Sequence, residues 1–297
     1  MAIRSAAVGT STEPARLEVT TRLTQAYAAA LGDCNPRYLD DAGEHGVIAP
    51  PAFCVSVEWP VFLSLGGMGV LGASLEDRLR GVHALQDSTF WRPIRPGDVL
   101  ITTAKIVEVR TTRAGAFVLM RLETLEEGSG ECMVTSHSAS LYRDVAVDGP
   151  DMRIEEPRGL PEAASTLPTE KVEILIPREA AHVYTECARI WNPIHTERRV
   201  ALQAGLPDII LHGTATWALA AREIVDRFLA GNPLHLRRLA GQFRAQVIPG
   251  STIVFEASRA GERVDFVVRN EKGQPAIASG RAVTDAESHP PEGERTR

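Results

Sequence analysis

The sequence contains only four cysteines, and no two of them are spaced as a metal-binding or redox pair would be. Cys34, Cys54, Cys132 and Cys187 lie far apart and form no C-x-x-C motif, which argues against a zinc site or a catalytic disulfide. We interpret them as packed thiols, because cysteine behaves as a small apolar side chain when buried. We therefore expect no metal and no redox cofactor.

The chain also lacks a basic run and a long apolar run. Its net charge is −6, which gives no electrostatic footprint for nucleic acid. The apolar stretch Pro51–Leu65 is interrupted by Glu58 and Pro60, and it falls short of the roughly 18–20 apolar residues that a membrane span needs. The N-terminal residues have no apolar signal-peptide core. We expect a cytoplasmic protein that binds neither nucleic acid nor membrane.

The most informative feature is an internal repeat. Tyr27 and Asn35-Pro36 are spaced as Tyr184 and Asn192-Pro193 are, with seven residues between the tyrosine and the asparagine. Two further blocks follow in the same order, 47–52 matching 209–214 and 90–98 matching 243–251. Three blocks in one order indicate two copies of the same structural unit.

Each copy has the pattern of a helix, a loop, a longer apolar helix and a run of strands. The predicted helices are 16–31, 51–65, 178–188 and 214–230. The predicted strands are 84–91, 99–110, 114–125 and 132–142 in the first copy and 172–176, 236–247, 252–260, 263–270 and 275–283 in the second.

These elements predict an α+β fold in which an antiparallel sheet wraps a central helix, twice in one chain. We place an N-terminal tail at 1–14, the first domain at 15–143, a linker rich in Pro, Glu and Ser at 144–170, the second domain at 171–284 and a C-terminal tail at 285–297. Pairing the two sheets edge to edge would remove exposed strand edges.

The second copy carries a motif in three parts: Asn192-Pro193-Ile194-His195, then Ala201 and Gly205, then Ile210-x-His212-Gly213. This pattern resembles that of the MaoC-like hydratase and dehydratase family, which has the hot-dog fold. The doubled arrangement is similar to the two-domain (R)-specific enoyl-CoA hydratases. The resemblance covers nearly the whole chain outside the linker and the tails.

The resemblance implies addition or loss of water at the C2=C3 bond of a 2-enoyl thioester, with a CoA thioester as the substrate and no cofactor. His195 would be the main acid–base group. Gly213, at the start of a helix, would supply a backbone N–H to the thioester oxygen. Asn192 would hold the loop, and His212, Ile190, Trp191 and Tyr184 would form the substrate-binding wall. A homodimer, or a hetero-oligomer with another hot-dog subunit, is the expected assembly.

One residue of the family pattern is missing. The family has Asp two residues before the Asn, and this position is Ile190 here. The first copy keeps an acid, Asp33, but has Tyr38 in place of the histidine. Glu186 would share a face with Ile190 if the helix continued, so Glu186 and Asp33 are the two candidates for the missing carboxylate.

Three interpretations stay open at this stage. His195 acts with a carboxylate from elsewhere, or acts alone, or catalysis was lost with the acid. The last interpretation gives a non-catalytic subunit that binds an acyl thioester or completes a hetero-oligomer. A thioesterase on the same scaffold is a further alternative.

Overall fold

The computed structural model describes residues 2–156 and 170–285. The first half contains a short N-terminal strand, two early helices, a long central helix and a set of antiparallel strands. Its elements are β1 (Ala2–Arg4), β2 (Ala15–Glu18), α1 (Thr21–Ala30), α2 (Pro36–Leu39), α3 (Cys54–Met68), α4 (Leu75–Leu79), β3 (Gly81–Phe90), β4 (Val99–Thr112), β5 (Gly115–Glu126), β6 (Cys132–Arg143), β7 (Ala146–Asp148) and β8 (Met152–Arg153).

The second half repeats this order with fewer additions. Its elements are β9 (Glu170–Leu175), α5 (Ala180–Ala188), α6 (Arg198–Gln203), α7 (Gly213–Phe228), β10 (Leu236–Gln242), β11 (Thr252–Ala260), β12 (Arg263–Arg269) and β13 (Pro275–Thr284). No helix among residues 2–156 and 170–285 is long and apolar enough to cross a lipid bilayer.

A single large sheet joins the two halves. Its strand order is β2-β4-β5-β6-β3-β10-β13-β12-β11-β9, with β8 added beside β4. Strands β3 and β10 pair antiparallel at the centre, with Gln86 opposite Gly241 and Thr89 opposite Arg238. The Arg238 guanidinium donates two hydrogen bonds to the Asp87 carboxylate, at 2.7 and 2.6 Å, across this junction. The predicted edge-to-edge pairing of the two copies is confirmed, and so is the double hot-dog architecture.

The two short helices that open the halves, α1 and α5, pack against each other. Their tyrosines meet at this contact, where the hydroxyl oxygens of Tyr27 and Tyr184 lie 3.1 Å apart. Tyr27 donates its own hydroxyl proton to the carbonyl of Ala52 at 2.8 Å. Tyr184 must therefore be the donor between the two tyrosines.

The central helices α3 and α7 differ in how they fill their halves. In the aligned repeat, Val55 of α3 corresponds to Trp217 of α7, and Trp217 is fully buried. The indole lies against Gly241 on β10, so a Cβ at that glycine would come within 3.3 Å of Trp217 Cδ1. The smaller valine leaves space in the first half, and a cavity lined by Val55 opens there.

Several local predictions need correction. Residues 16–31 were predicted as one helix, but they form strand β2 and then α1, because the Thr20 hydroxyl caps the helix by accepting a hydrogen bond from Leu23 N–H. The predicted helix 51–65 begins with a 3-10 turn and continues to Met68. Cys34 is exposed, so only Cys54 is a fully packed thiol.

The segments at the predicted domain boundaries are partly structured. Strand β1 pairs in parallel with β7, which places residues of the predicted tail against residues of the predicted linker. Ile3 is fully buried there. The rest of the predicted linker, 157–169, and most of the predicted C-terminal tail, 286–297, lie outside the described residues. The domain boundaries stay a prediction.

Candidate active site

The two ends of the motif in the second half come together. Asn192 caps a 3-10 turn over Pro193–His195, with its side-chain oxygen accepting from Ile194 N–H. This turn places the His195 ring beside the second end of the motif. His195 Nδ1 lies 2.8 Å from the carbonyl oxygen of Ile210. A carbonyl can only accept, so Nδ1 carries the proton in the neutral ring. The Nε2 lone pair of His195 is then available, and no described residue occupies it.

His212 stacks on His195 and is fixed in the opposite tautomer. The ring centroids are 3.6 Å apart with 24° between the planes. His212 Nε2 lies 3.2 Å from the carbonyl of Ile190 and 3.3 Å from Thr185 Oγ1. Thr185 gives its own proton to the Ala181 carbonyl, so both groups accept from His212 Nε2–H. His212 Nδ1 is buried without a partner among the described residues.

Burial keeps both imidazoles neutral. Removal from water lowers the pKa of His195 to about 4, against a smaller opposing effect of the bond to the Ile210 carbonyl. The pKa of His212 falls well below its usual value for the same reason, and the neighbouring His195 lowers it further. A neutral His195 can accept a proton at neutral pH, as a general base requires.

Gly213 is the first residue of α7 and follows directly after His212. The backbone N–H groups of a first helical turn have no partner within the helix and carry a partial positive charge. A side chain at this position would be crowded, because a Cβ would lie 3.2 Å from Phe243 Cδ1. The position therefore suits a close approach by a substrate carbonyl.

Ile190 is buried beside these histidines and lines the same cavity. Glu186 was predicted to share its face, but α5 ends at Ala188 and Arg189 adopts a left-handed conformation with φ of 57°. The chain direction changes there, so Ile190 points into the cavity and Glu186 is exposed to solvent. The geometry does not bring Glu186 to His195.

Asp33 lies in a different cavity, which it lines together with Arg222, Glu223 and Asp226 near the end of α7. Its side chain accepts a hydrogen bond from Asn35 N–H at 3.1 Å, as a turn residue does. Burial raises the pKa of Asp33 to about 6. Asp33 is therefore placed away from the two stacked imidazoles.

The remaining predicted wall residues separate into two groups. Asn192, Ile190 and His212 line the cavity, whereas Tyr184 and Trp191 do not. Tyr184 is buried and packs against His212, with ring centroids 4.9 Å apart, so it helps to hold that imidazole in place. Trp191 is about half exposed on the outer surface.

The cavity itself, about 740 Å³, is shared by the two halves. Its first-half wall includes Glu58, His83, Gln86 and Ser138, none of which the motif comparison indicated. Glu58 is fully buried, and this burial raises the pKa of its carboxyl to about 7. The only sequence signal was a carboxylate inside an otherwise apolar helix. Among the described residues that line this cavity, Glu58 is the one carboxylate.

Comparisons with known proteins agree with the two-part architecture. The FAS1-like dehydratase domain region matches residues 6–136, and the MaoC-like domain matches residues 161–278. A protein of Dictyostelium discoideum named probable enoyl-CoA hydratase 2 is 23% identical over 282 residues, covering 92% of this chain and 93% of its own. The 3-hydroxyacyl-thioester dehydratase Y of Mycobacterium tuberculosis is 25% identical, covering 96% and 97%.

Among solved structures, a MaoC-like dehydratase from Phytophthora capsici superimposes with a TM-score of 0.81 at 18% identity, covering 95% of this chain and 97% of its own. At this identity the likeness shows the fold. Two family models thus match the two halves, and relatives of the same kind match the full length. The chain is therefore a two-domain member of the MaoC-like hydratase and dehydratase family, with the double hot-dog fold.

Proposed function

We propose that this protein is a hydratase or dehydratase that interconverts 2-enoyl and 3-hydroxyacyl thioesters of CoA, with the chemistry in the second half. The observation that carries this proposal is the neutral His195, whose Nδ1 proton is engaged by Ile210 and whose Nε2 lone pair is open. The full-length relatives named for enoyl-CoA hydration and 3-hydroxyacyl-thioester dehydration support the same reaction.

In the hydration direction, His195 Nε2 takes a proton from a water molecule while the water oxygen bonds to C3. The electron pair of the C2=C3 bond moves towards the thioester carbonyl, and its oxygen gains negative charge. The N–H of Gly213, at the start of α7, stabilises that charge. The imidazolium of His195 then returns a proton to C2. The dehydration is the reverse of these steps, and neither direction calls for a cofactor.

This proposal can be tested by following the loss of enoyl-thioester absorbance with crotonyl-CoA and longer 2-enoyl-CoAs. His195→Ala should lower kcat/KM by about 10²–10⁴-fold, which is the usual contribution of a positioned acid–base group. His45→Ala replaces an exposed histidine outside the cavity and serves as the matched control. Its activity should equal that of the wild type.

Loss of the family acid at Ile190 favours one competing function, a non-catalytic subunit that binds acyl thioesters or completes a hetero-oligomer. No turnover of any enoyl-CoA by the wild type, with unchanged thioester binding by His195→Ala, would support that function and reject ours. We further propose a cytoplasmic location. We also propose assembly as a homodimer or with another hot-dog subunit, and light scattering of the purified protein tests the homodimer.

A further inference from the structure

The first-half wall of the cavity has a continuous row of polar side chains. Strands β3 and β6 are paired so that Gln86 lies opposite Ser138 and Ser88 lies opposite Ser136. His83 joins the row, with its Nε2 2.9 Å from Ser138 Oγ. The facing helix α3 contributes Glu58, together with the apolar Trp59 and Phe62. We call the set Glu58, His83, Gln86, Ser88, Ser136 and Ser138 the polar row.

Two side chains of the polar row donate hydrogen bonds to Glu58. Ser136 donates to Glu58 Oε1, so the bond of 2.8 Å between Ser136 and Ser88 must be donated by Ser88. Gln86 Nε2 donates at 3.0 Å to both Glu58 Oε2 and Ser88 Oγ. Ser136 and Gln86 thus both donate to Glu58, which no cation accompanies among the described residues. The Gln86 carboxamide accepts a further hydrogen bond from the His83 ring, and its oxygen keeps a second lone pair.

The hot-dog fold does not require this row, because the second copy lacks it. In the aligned repeat, Glu58 corresponds to Ala220 and Gln86 corresponds to Leu239, and both of these residues are buried in the apolar core. Ser88 corresponds to Gly241, against which Trp217 packs. A buried carboxyl without a cation is costly, and an apolar replacement of similar shape is usually at least as stable. Stability alone therefore does not explain the row.

The row also lies close to the reaction centre. Phe243 continues from β10 and contacts both sides: a Cβ at Gly213 would meet its ring at 3.2 Å, and the His83 ring centroid is 4.6 Å from its own. The Phe243 ring thus lies between the polar row and the start of α7, where the thioester oxygen binds. An acyl group whose thioester lies at Gly213 extends into the space between α3 and β3.

We infer that the acyl group of the substrate carries an uncharged hydroxyl group that bonds to the polar row at Gln86 and Ser138. This inference rests on the proposed function and specifies its substrate class. The second lone pair of the Gln86 oxygen accepts from the substrate hydroxyl, and Ser138 Oγ lies in the same wall. Trp59 and Phe62 contact the hydrocarbon part. Above pH 7, where Glu58 is ionised, a carboxylate beside Gln86 would meet Glu58, the one acid among the described lining residues, and like charges repel.

Three substrates of equal chain length test the inference: hex-2-enoyl-CoA, 6-hydroxyhex-2-enoyl-CoA and the mono-CoA thioester of hex-2-enedioic acid. We expect kcat/KM of the wild type to be at least about tenfold higher for the hydroxylated substrate than for either other substrate, because one well-formed hydrogen bond to a substrate hydroxyl gives discrimination of this order. An equal or higher value for the unsubstituted or carboxylated substrate overturns the inference.

The variant Gln86→Leu copies the residue that the second half has at the same place. It should lower the preference for 6-hydroxyhex-2-enoyl-CoA over hex-2-enoyl-CoA by about tenfold. Thr124→Val is the matched control, since it removes a buried hydroxyl that pairs with Thr102 on the same sheet, outside the cavity. Its preference should be that of the wild type. An unchanged preference in a folded Gln86→Leu variant contradicts the inference.

Calorimetric binding of hexanoyl-CoA and 6-hydroxyhexanoyl-CoA to the wild type separates this inference from the proposed function. Tighter binding of the hydroxylated compound, lost in Gln86→Leu, supports the polar row even if no enoyl-CoA is turned over. Turnover of crotonyl-CoA with equal binding of the two saturated compounds supports the hydratase and rejects the role of the row.

Discussion

Ile190 occupies the position at which the family pattern has an acid, and its surroundings would accept one. The residue lines the cavity, and its carbonyl already accepts from His212 Nε2–H. Because the only described carboxylate of the cavity lies on α3 in the other half, we expect Ile190→Asp to raise kcat/KM for enoyl-CoA hydration about tenfold or more through a second acid–base group.

The same substitution should destabilise the fold by about 1–3 kcal/mol, because it buries a polar group in an apolar contact. Ile190→Asn provides the matched control, since it has the shape of Asp and cannot titrate. Equal rates for Asp and Asn, or a lower rate for Asp than for Ile, would show that the wild-type site does not lack an acid.

At the level of elements, helix α3 carries a carboxyl whose ionisation opposes folding. The pKa of Glu58 is about 7 in the folded protein and 4.5 in an exposed reference state, so the folded state binds more protons between these values. Stability from this group is therefore complete below pH 4.5 and is lost as pH rises to about 7. Glu58→Gln cannot titrate. The free energy of unfolding of this variant, minus that of the wild type, should therefore rise by about 2–3 kcal/mol between pH 4.5 and about 7.

Urea unfolding of both proteins at a series of pH values between 4 and 8 measures this difference. Asp33→Asn is a useful second variant, because burial also raises the pKa of Asp33, to about 6, and its window should end lower. A difference between Glu58→Gln and the wild type that stays constant with pH would mean that the pKa of Glu58 is the same in the folded and the unfolded protein.

At the level of the whole molecule, stability depends on the junction between β3 and β10. Arg238 and Asp87 form a two-bond pair there, with side-chain exposures of 19% and 4%. Arg238→Ala leaves the carboxylate of Asp87 buried and unpaired, so it should lower the free energy of unfolding by about 2–4 kcal/mol. The adjacent Arg237 pairs with Asp285 at exposures of 48% and 34%, and Arg237→Ala should cost less than about 1 kcal/mol.

Thermal or urea denaturation of the two arginine variants compares an inner with an outer pair on one strand. Similar losses for both variants would show that the junction is solvated in solution. A loss in Arg238→Ala that is restored when Asp87 is also replaced by an apolar residue would identify the unpaired charge as the cause.

The internal repeat predicted most of the architecture, because it fixes which residues of the two halves are equivalent. The strands of both sheets and their joining edge followed from period-two patterns and from the cost of free edges. Strand β2 was missed, because four residues before a helix give too short a pattern to separate from it. The separation of Ile190 from the helix face of Glu186 depends on the left-handed backbone of Arg189. The sequence has no glycine at this position that would indicate such a backbone.

The site was predictable where its residues belong to a local motif and not where they come from distant strands. The contact of His195 with Ile210 spans a short loop, and the motif spacing indicated it. The polar row combines side chains of α3, β3 and β6. Phe243, which comes from the other half, lies between this row and the reaction centre and pairs with Ala84 through its backbone N–H. Such a combination requires the register of the sheets, which the sequence does not specify.

The hydrogen bond between Tyr27 and Tyr184 joins equivalent residues of the two halves, but only Tyr184 donates in it. The pseudo-twofold symmetry of the two halves is broken at this contact. In a dimer of two identical hot-dog subunits, a hydroxyl pair on the axis has two equivalent proton arrangements. Here the Ala52 carbonyl selects one of them, and the Thr214 hydroxyl bonds to Tyr184 from the other side. The hydrogen bonds therefore run in one direction from Thr214 through Tyr184 and Tyr27 to Ala52. This makes the two halves unequal, whereas the subunits of a symmetric dimer would be equivalent.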